Sequence, residues 1–197
     1  MKTGTKTLIT ALMLLVFSCD KETVSKPAAV STHTQGSSKL QTTGHYIGEH
    51  FGGGVIFWLD STGQHGLIAA VADQGITEWD YESFPYTITG ATGSRIGSGL
   101  TNTRKIVRAL KTQSPYYAAL LCANYSDDGY SDWFLPSRKE LYRLYLQKDK
   151  IGVFASGGYW SSTEDGETNA WERAFHTGIE YSVAKSFLAY VRAIRAF

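Results

Sequence analysis

The sequence predicts an α+β domain that combines short antiparallel strands with two or three helices. Apolar runs of about five to seven residues, separated by glycine-rich turns, lie towards both ends of the chain and are typical of strands. Apolar residues with helical spacing are confined to the middle. The chain has 197 residues, of which 20 are glycine and four proline, which suits one domain with many tight turns.

Residues 1–18 predict an export signal. Lys2 and Lys6 precede an apolar run of about ten residues, whereas a membrane-spanning helix needs about 20. Ser18 and Cys19 close this run as in a bacterial lipobox, which predicts cleavage before Cys19 and lipidation of Cys19. A plain secretory leader and an uncleaved anchor are the alternatives. Lipidation would make the membrane a partner and place the protein in the periplasm, the outer membrane or the cell surface of a Gram-negative bacterium.

Residues 19–44 predict a lipidated cysteine followed by a flexible tether, because Lys, Ser, Thr and Gln dominate and large apolar side chains are rare. The remaining residues, 45–197, have the size of one domain. Without Lys2 and Lys6, 17 basic residues face 18 acidic ones, so no nucleic-acid partner is expected. Cys19 and Cys122 are the two cysteines, and the apolar surroundings of Cys122 predict a buried thiol.

The first half of the domain predicts a β-hairpin, a long loop and a helix. Residues 53–59 and 67–71 read as strands around a turn-rich segment. The loop over 72–100 carries aromatic residues that can stack on sugar rings if they are exposed, with core packing as the alternative: Trp79, Tyr81 and Tyr86.

Helical spacing over 102–111 places three cations on one face: Arg104, Arg108 and Lys111. They are candidates for binding sulfate or carboxylate groups, and a solvated helix face is the alternative. A second short helix is expected to follow Pro115 and run to about residue 124.

The polar loop at 126–132 contains weak candidates for calcium ligands: Asp127, Asp128 and Asp132. The loop lacks the spacing and the terminal glutamate of an EF-hand, so a polar turn is the favoured interpretation and no cofactor is expected.

The stretch 132–141 is the strongest structural signal in the chain. Ser137 and Glu140 form the S-x-x-E capping box of a helix, and Pro136 favours an extended chain just before it. Leu141, Leu144 and Tyr145 then share one helical face. This pattern predicts a capped amphipathic helix.

The last third of the chain predicts three strands, over 157–164, 170–175 and 187–197. The last one is apolar on both faces, which is typical of a central strand, and it carries Arg192 and Arg195 on opposite faces. Because an unpaired buried charge is costly, we expect both arginines to be interior residues with acidic partners. The candidate partners are Glu140, Glu164, Asp165 and Glu172.

Several short motifs follow one another in a fixed order, at 58–60, 63–67, 97–99, 102–103, 132–141, 159–164, 170–171 and 191–197. In this order they resemble the DUF1566 family, which includes the C-terminal domain of the Legionella collagen-like adhesin. The resemblance implies a C-type-lectin-like fold, distantly similar to the formylglycine-generating enzymes, and binding of sulfated glycans. It also marks a set of fold determinants: Trp133, Pro136, Ser137, Glu140, Trp160, Trp171, Arg192 and Arg195.

Three function classes follow from these features. The first is a cell-surface, adhesin-like binding module for an acidic or sulfated glycan or another extracellular polymer. The second is a structural or assembly lipoprotein that binds a surface protein. The third, an enzyme, has the least support, because the sequence contains no H-E-x-x-H motif, no G-x-S-x-G motif and no compact His/Cys/Asp cluster.

Overall fold

The computed structural model describes residues 44–81, 85–111 and 116–197. In chain order, the strands are β1 (His50–Phe51), β2 (Gly54–Leu59), β3 (Gly66–Ala69), β4 (Gly75–Thr77), β5 (Gly158–Asp165), β6 (Asn169–Ala174), β7 (Glu180–Ala184), β8 (Ala189–Val191) and β9 (Ile194–Ala196). The helices are α1 (Gly99–Leu110), α2 (Ala118–Ala123), α3 (Arg138–Leu146) and α4 (Lys148–Ile151), and they lie between β4 and β5 in the chain.

These strands form two sheets, which confirms the α+β class. The first sheet has the order β1-β2-β3-β9 and the second has the order β4-β8-β5-β6-β7. All strand pairs are antiparallel except β5 and β8, which pair in parallel through Tyr159 and Tyr190. The described residues hold four helices where two or three were predicted, and the shortest is the four-residue α4.

The predicted hairpin is present as β2 and β3, and both of its faces are buried. Ile56 and Ile68 belong to an apolar cluster that also contains residues of α1 and α2. Val55 and Leu67, on the other face, pack into a second cluster with residues of α3 and α4. The continuous apolar runs in the sequence are therefore explained by burial of the hairpin on both of its faces.

The prediction of one strand over 187–197 is wrong. The segment forms two strands in different sheets, β8 beside β5 and β9 beside β3, and the chain crosses between the sheets at Arg192 and Ala193. The period-two pattern continues through the crossing because the surroundings on both sides are apolar. The pattern therefore predicts that the segment is buried, but it does not predict that the chain changes from one sheet to the other.

The long loop predicted over 72–100 contains one strand that the sequence analysis missed. Residues Gly75–Thr77 form β4, an edge strand that pairs with β8. A strand of three residues is too short to show a period in its sequence. Helix α1 also begins earlier than predicted, at Gly99, where an added Cβ would collide with the Glu140 carboxylate.

The capping box is confirmed, and the stretch that carries it joins the two sheets. Phe134 exchanges backbone hydrogen bonds of 2.8 and 2.9 Å with Ile194, at the start of β9. Two residues later the Pro136 carbonyl accepts a 2.7 Å bond from Ser162 in β5. At the helix itself, the Ser137 hydroxyl accepts the Glu140 N–H, while the Glu140 carboxylate accepts the Ser137 N–H at 2.7 Å.

Candidate functional site

A cavity of about 460 Å³ lies between α1, the end of α2, the segment 131–134 and the last residue of β9. We call it the α1 groove. Its size falls within the range of about 300–1,000 Å³ that is usual for ligand sites. Its surface is mainly apolar, and its lining residues are Leu100, Thr103, Arg104, Val107, Arg108, Ala123, Ser131, Asp132, Trp133, Phe134 and Ala196.

Helix α1 supplies one wall of the groove and its positive charge. Asn102, Ile106 and Leu110 point into the protein and are buried, whereas Arg104 and Arg108 are exposed one turn apart. Within the described residues, neither arginine forms an ion pair with a carboxylate. Both guanidinium groups therefore remain available to an acidic ligand.

The opposite wall is fixed by Arg195. Its guanidinium binds both carboxylate oxygens of Asp132, at 2.7 and 3.1 Å, and donates to the Gly52 carbonyl at 3.2 Å. It also lies 3.9 Å above the ring of Tyr130. The bond from Arg195 lowers the pKa of Asp132, so the only carboxylate among the lining residues is already neutralised by a protein cation.

The three predicted cations are not equivalent. Arg104 and Arg108 line the groove, as a shared helical face requires. Lys111 is exposed but does not line it. Lys111 follows the last residue of α1 and has a positive φ of 60°. The helix has therefore ended before Lys111, and its side chain does not lie on the helical face of Arg104 and Arg108.

The aromatic residues of the 72–100 segment do not form the expected platform. The candidate role of Trp79 as a stacking surface for a ligand is wrong: the residue is 0% exposed, and its indole N–H donates to the Ser161 carbonyl at 2.8 Å. Tyr81 is half-buried, stacks on Tyr117 at 5.7 Å and donates to the Leu110 carbonyl. Tyr86 is also half-buried. The segment is used for packing at Trp79 and Tyr81, as the alternative interpretation held.

The three aspartates of the 126–132 loop have separate roles. Asp132 binds Arg195, Asp127 accepts a hydrogen bond from the Tyr125 hydroxyl at 3.0 Å, and Asp128 lies in a tight turn with a φ of 48°. In the part of the chain that the structure describes, no three His, Cys, Asp or Glu side chains are grouped closely enough to hold a metal ion.

Most of the residues assigned to the structural motifs are buried. Trp133, Pro136 and Trp160 are buried, and the Trp160 indole donates to the Thr77 carbonyl at 2.9 Å. Trp171 is half-buried beneath the guanidinium of Arg138, whose central carbon is 3.5 Å from the ring centre. Cys122 is buried, which raises the pKa of its thiol.

The two interior arginines are confirmed, but their acidic partners were predicted wrongly. Arg192 is buried and binds Asp73 at 2.7 Å, and it donates to the carbonyls of Ala70 and Val153. Arg195 binds Asp132. Three of the four proposed carboxylates have other partners: Glu140 is in the capping box, Glu164 binds Lys185, and Asp165 accepts a hydrogen bond from Ser182. The fourth, Glu172, is half-buried against Gly158, and burial raises the pKa of its carboxyl group.

Sequence reasoning missed a buried ion pair between Lys185 and Glu164. Their side chains are 0% and 1% exposed, and Nζ lies 2.8 Å from Oε1. The Lys185 ammonium also donates to the Thr87 carbonyl at 3.1 Å, and Glu164 accepts the N–H groups of Thr89 and Gly90. Lys185 follows directly after β7, and a lysine at a strand end gives no sequence signal of burial.

The predicted lipidation site, Cys19, lies outside the described residues, as do the predicted signal over 1–18 and all of the predicted tether over 19–44 except its last residue. Across 44–81, 85–111 and 116–197, no helix combines the length and apolar character that a membrane crossing requires.

Comparison with protein-family models gives no match, and no protein with a curated description matches significantly. Among solved structures, the chain is similar to a fimbrial protein from Bacteroides ovatus, with 14% sequence identity and a TM-score of 0.49. The match covers 72% of this chain and 43% of that protein, so the chain spans less than half of its length.

Proposed function

We propose that this protein is an exported, lipid-anchored binding protein without catalytic activity, and that its α1 groove binds an acidic glycan or a similar extracellular polymer. The observation that carries the proposal is the pair of exposed arginines, Arg104 and Arg108, beside a concave, mainly apolar surface. The lipid anchor rests on the sequence around Cys19. The C-type-lectin-like relationship rests on the motif order described above.

The groove offers the two kinds of contact that an acidic sugar needs. A guanidinium group binds carboxylate or sulfate through two parallel hydrogen bonds. Residues one helical turn apart have Cβ atoms about 5–6 Å from each other, so Arg104 and Arg108 can hold one acidic group together or two neighbouring ones. The apolar faces of sugar rings can pack on Leu100 and Val107, which are half-buried.

A protein partner is the second candidate, and one observation favours it. Trp133 and Phe134 line the groove but are each only 2% exposed, so little aromatic ring surface is available for stacking on a sugar. An acidic peptide with an aliphatic side chain would also fill a groove that is mainly apolar. This binding would make the protein an assembly or structural lipoprotein.

Binding of the purified chain to neutral, carboxylated and sulfated glycans tests the proposal. We expect binding to the acidic glycans alone, with an affinity that falls as salt increases. Arg104→Glu and Arg108→Glu should each weaken binding by about tenfold or more, because each replaces an attractive charge by a repulsive one.

Arg143→Glu is the matched control, since Arg143 is an exposed arginine on α3 that does not line the groove. An equal loss in all three variants would mean that net charge alone controls binding, which contradicts the proposal. If no glycan binds, but an acidic protein on the same membrane is retained by the wild type and released by Arg108→Glu, the second candidate replaces the first.

A further inference from the structure

A second cavity, of about 270 Å³, lies at the beginning of α3, between the segment before α1 and strands β6 and β7. We call it the α3 cavity. Its lining differs from that of the α1 groove because it is dominated by charged and polar side chains: Ser94, Arg138, Lys139, Tyr142, Arg173 and Glu180. The two cavities share no lining residue.

Positive charge exceeds negative charge around this cavity. Glu180 is its one acidic lining residue, and the carboxylate is shared by two arginines, Arg138 and Arg173. Lys139 is exposed, and within the described residues its ammonium has no carboxylate partner. Three cations therefore surround one anion, and the charge of Lys139 remains uncompensated.

Arg173 is the most enclosed of the three cations. It is 8% exposed, and two of its nitrogens are bonded, one to the Gly178 carbonyl and one to Glu180 at 3.2 Å. Its Nε is enclosed and has no acceptor among the described residues. Burial lowers the pKa of Arg173, and the charge of Arg138 lowers it further, while Glu180 opposes both effects.

Two of the three cationic side chains, those of Arg138 and Arg173, are held in place by aromatic rings. The Arg138 guanidinium lies 3.5 Å from the centre of the Trp171 ring, and Arg173 lies 4.7 Å from that of Tyr142. The backbone N–H groups of Arg138 and Lys139 are already bonded, to the Thr163 hydroxyl and the Ser94 carbonyl. A ligand would therefore be recognised by side chains and not by the helix N-terminus.

We propose that the α3 cavity binds an oxyanion, namely a sulfate, phosphate or carboxylate group. Lys139 and the hydroxyls of Ser94 and Tyr142 donate hydrogen bonds to it, and Arg138 adds charge from the half-buried side. Arg173 contributes through its charge, since its Nε is enclosed. This site is independent of the α1 groove and does not rest on the function proposed for that groove.

Titration of the purified chain with inorganic sulfate, inorganic phosphate and acetate, followed by calorimetry at constant ionic strength, tests this inference. We expect saturable binding of at least one of the three anions, whereas chloride should give none. Lys139→Glu should weaken that binding by about tenfold or more, because it places a second carboxylate at the cavity, beside that of Glu180, in place of a hydrogen-bond donor.

Lys150→Glu is the control, because Lys150 is an exposed lysine that does not line the cavity and the variant has the same net charge. A sulfated disaccharide is titrated in the same way as the inorganic anions. Binding as tight as, or tighter than, that of inorganic sulfate supports the site, and the comparison shows whether free anions or polymer-borne groups are preferred. Arg104→Glu should leave intact the anion binding that Lys139→Glu weakens, which separates this site from the groove.

Two results would overturn the inference. One is the absence of saturable binding of every anion, which would make Arg138, Glu180 and Arg173 a purely structural triad. The other is an equal loss of binding in Lys139→Glu and Lys150→Glu, which would show general charge attraction. Stabilisation by molar sulfate is not a sign of binding, because sulfate stabilises folded proteins without a specific site.

Discussion

The buried pair of Lys185 and Glu164 allows the sharpest test of the energetics of this fold. Glu164→Ala removes the carboxylate that pairs with Lys185 and leaves the N–H groups of Thr89 and Gly90 without their acceptor. Removal of one member of a buried ion pair costs about 3–5 kcal/mol of unfolding free energy. Each orphaned buried donor adds about 1–3 kcal/mol unless water reaches it. We expect a loss of about 5 kcal/mol, the upper end of the range for the ion pair, because both of its side chains are enclosed whereas water can reach the N–H groups of the half-buried Thr89 and Gly90.

The assay is urea unfolding of the purified chain, followed by far-UV circular dichroism. The free energy of unfolding of a typical domain is about 5–15 kcal/mol, so a loss of this size can unfold the protein. Glu164→Gln is therefore included as a milder change. The glutamine keeps a carbonyl acceptor for one backbone N–H. Lys185→Met is expected to cost about 3 kcal/mol, because it leaves the carboxylate buried with two backbone donors.

The double variant, Glu164→Gln with Lys185→Met, decides the interpretation. If the pair is coupled, the double variant is more stable than the sum of the two single losses predicts, by about 1–3 kcal/mol. Additive losses would refute the reasoning, because they would mean that each side chain acts through its other contacts. In that case the bond of Lys185 to the Thr87 carbonyl and the backbone bonds of Glu164 would carry the stabilisation.

Three further predictions concern single side chains. Ser137→Ala should lower the free energy of unfolding by about 1–2 kcal/mol, because it removes the helix cap and the bond of the hydroxyl to a backbone carbonyl; urea unfolding measures the loss, and an unchanged midpoint would contradict it. Arg195 lowers the pKa of Asp132 below 3.8, so the pair stabilises the protein above about pH 4 and this contribution is lost as the pH falls further. The Asp132 side chain is 57% exposed, so Asp132→Asn should lower the free energy of unfolding by no more than about 1 kcal/mol at pH 7. At low pH the free energies of unfolding of the variant and the wild type should become equal. Burial raises the pKa of the Cys122 thiol, so in a variant without Cys19 a thiol reagent should label the protein only at the rate at which it unfolds; fast labelling would contradict the buried position.

Local signals in the sequence predicted local structure well. The capping box of Ser137 and Glu140 depends on two residues three positions apart, and it was found where the sequence placed it. The hairpin of β2 and β3 was likewise visible, because apolar runs and turn residues are adjacent in the chain. The positions of Arg104 and Arg108 on one face followed from the helical period alone.

Features that depend on distant contacts could not be predicted in the same way. The partners of Arg192 and Arg195 are 119 and 63 positions away, and the choice between several carboxylates is made by the packing of the two sheets. The same packing buries Trp79, whose surrounding sequence is typical of an exposed loop. The two cavities are gaps between elements that meet only in the folded chain, so no motif marks them.

The crossing of the chain at Arg192 and Ala193 has a consequence for the order in which the domain can form during synthesis. A chain that emerges from its N-terminus, either from the ribosome or across a membrane, presents β8 and β9 after the other described strands. Strand β4 pairs with β8 alone, and β9 provides the wall of the α1 groove at Ala196. Until β8 has emerged, β4 has no strand to pair with, and until β9 has emerged the wall of the groove at Ala196 is missing. The pairing of β4 and the closing of the groove are therefore late steps in the formation of this domain.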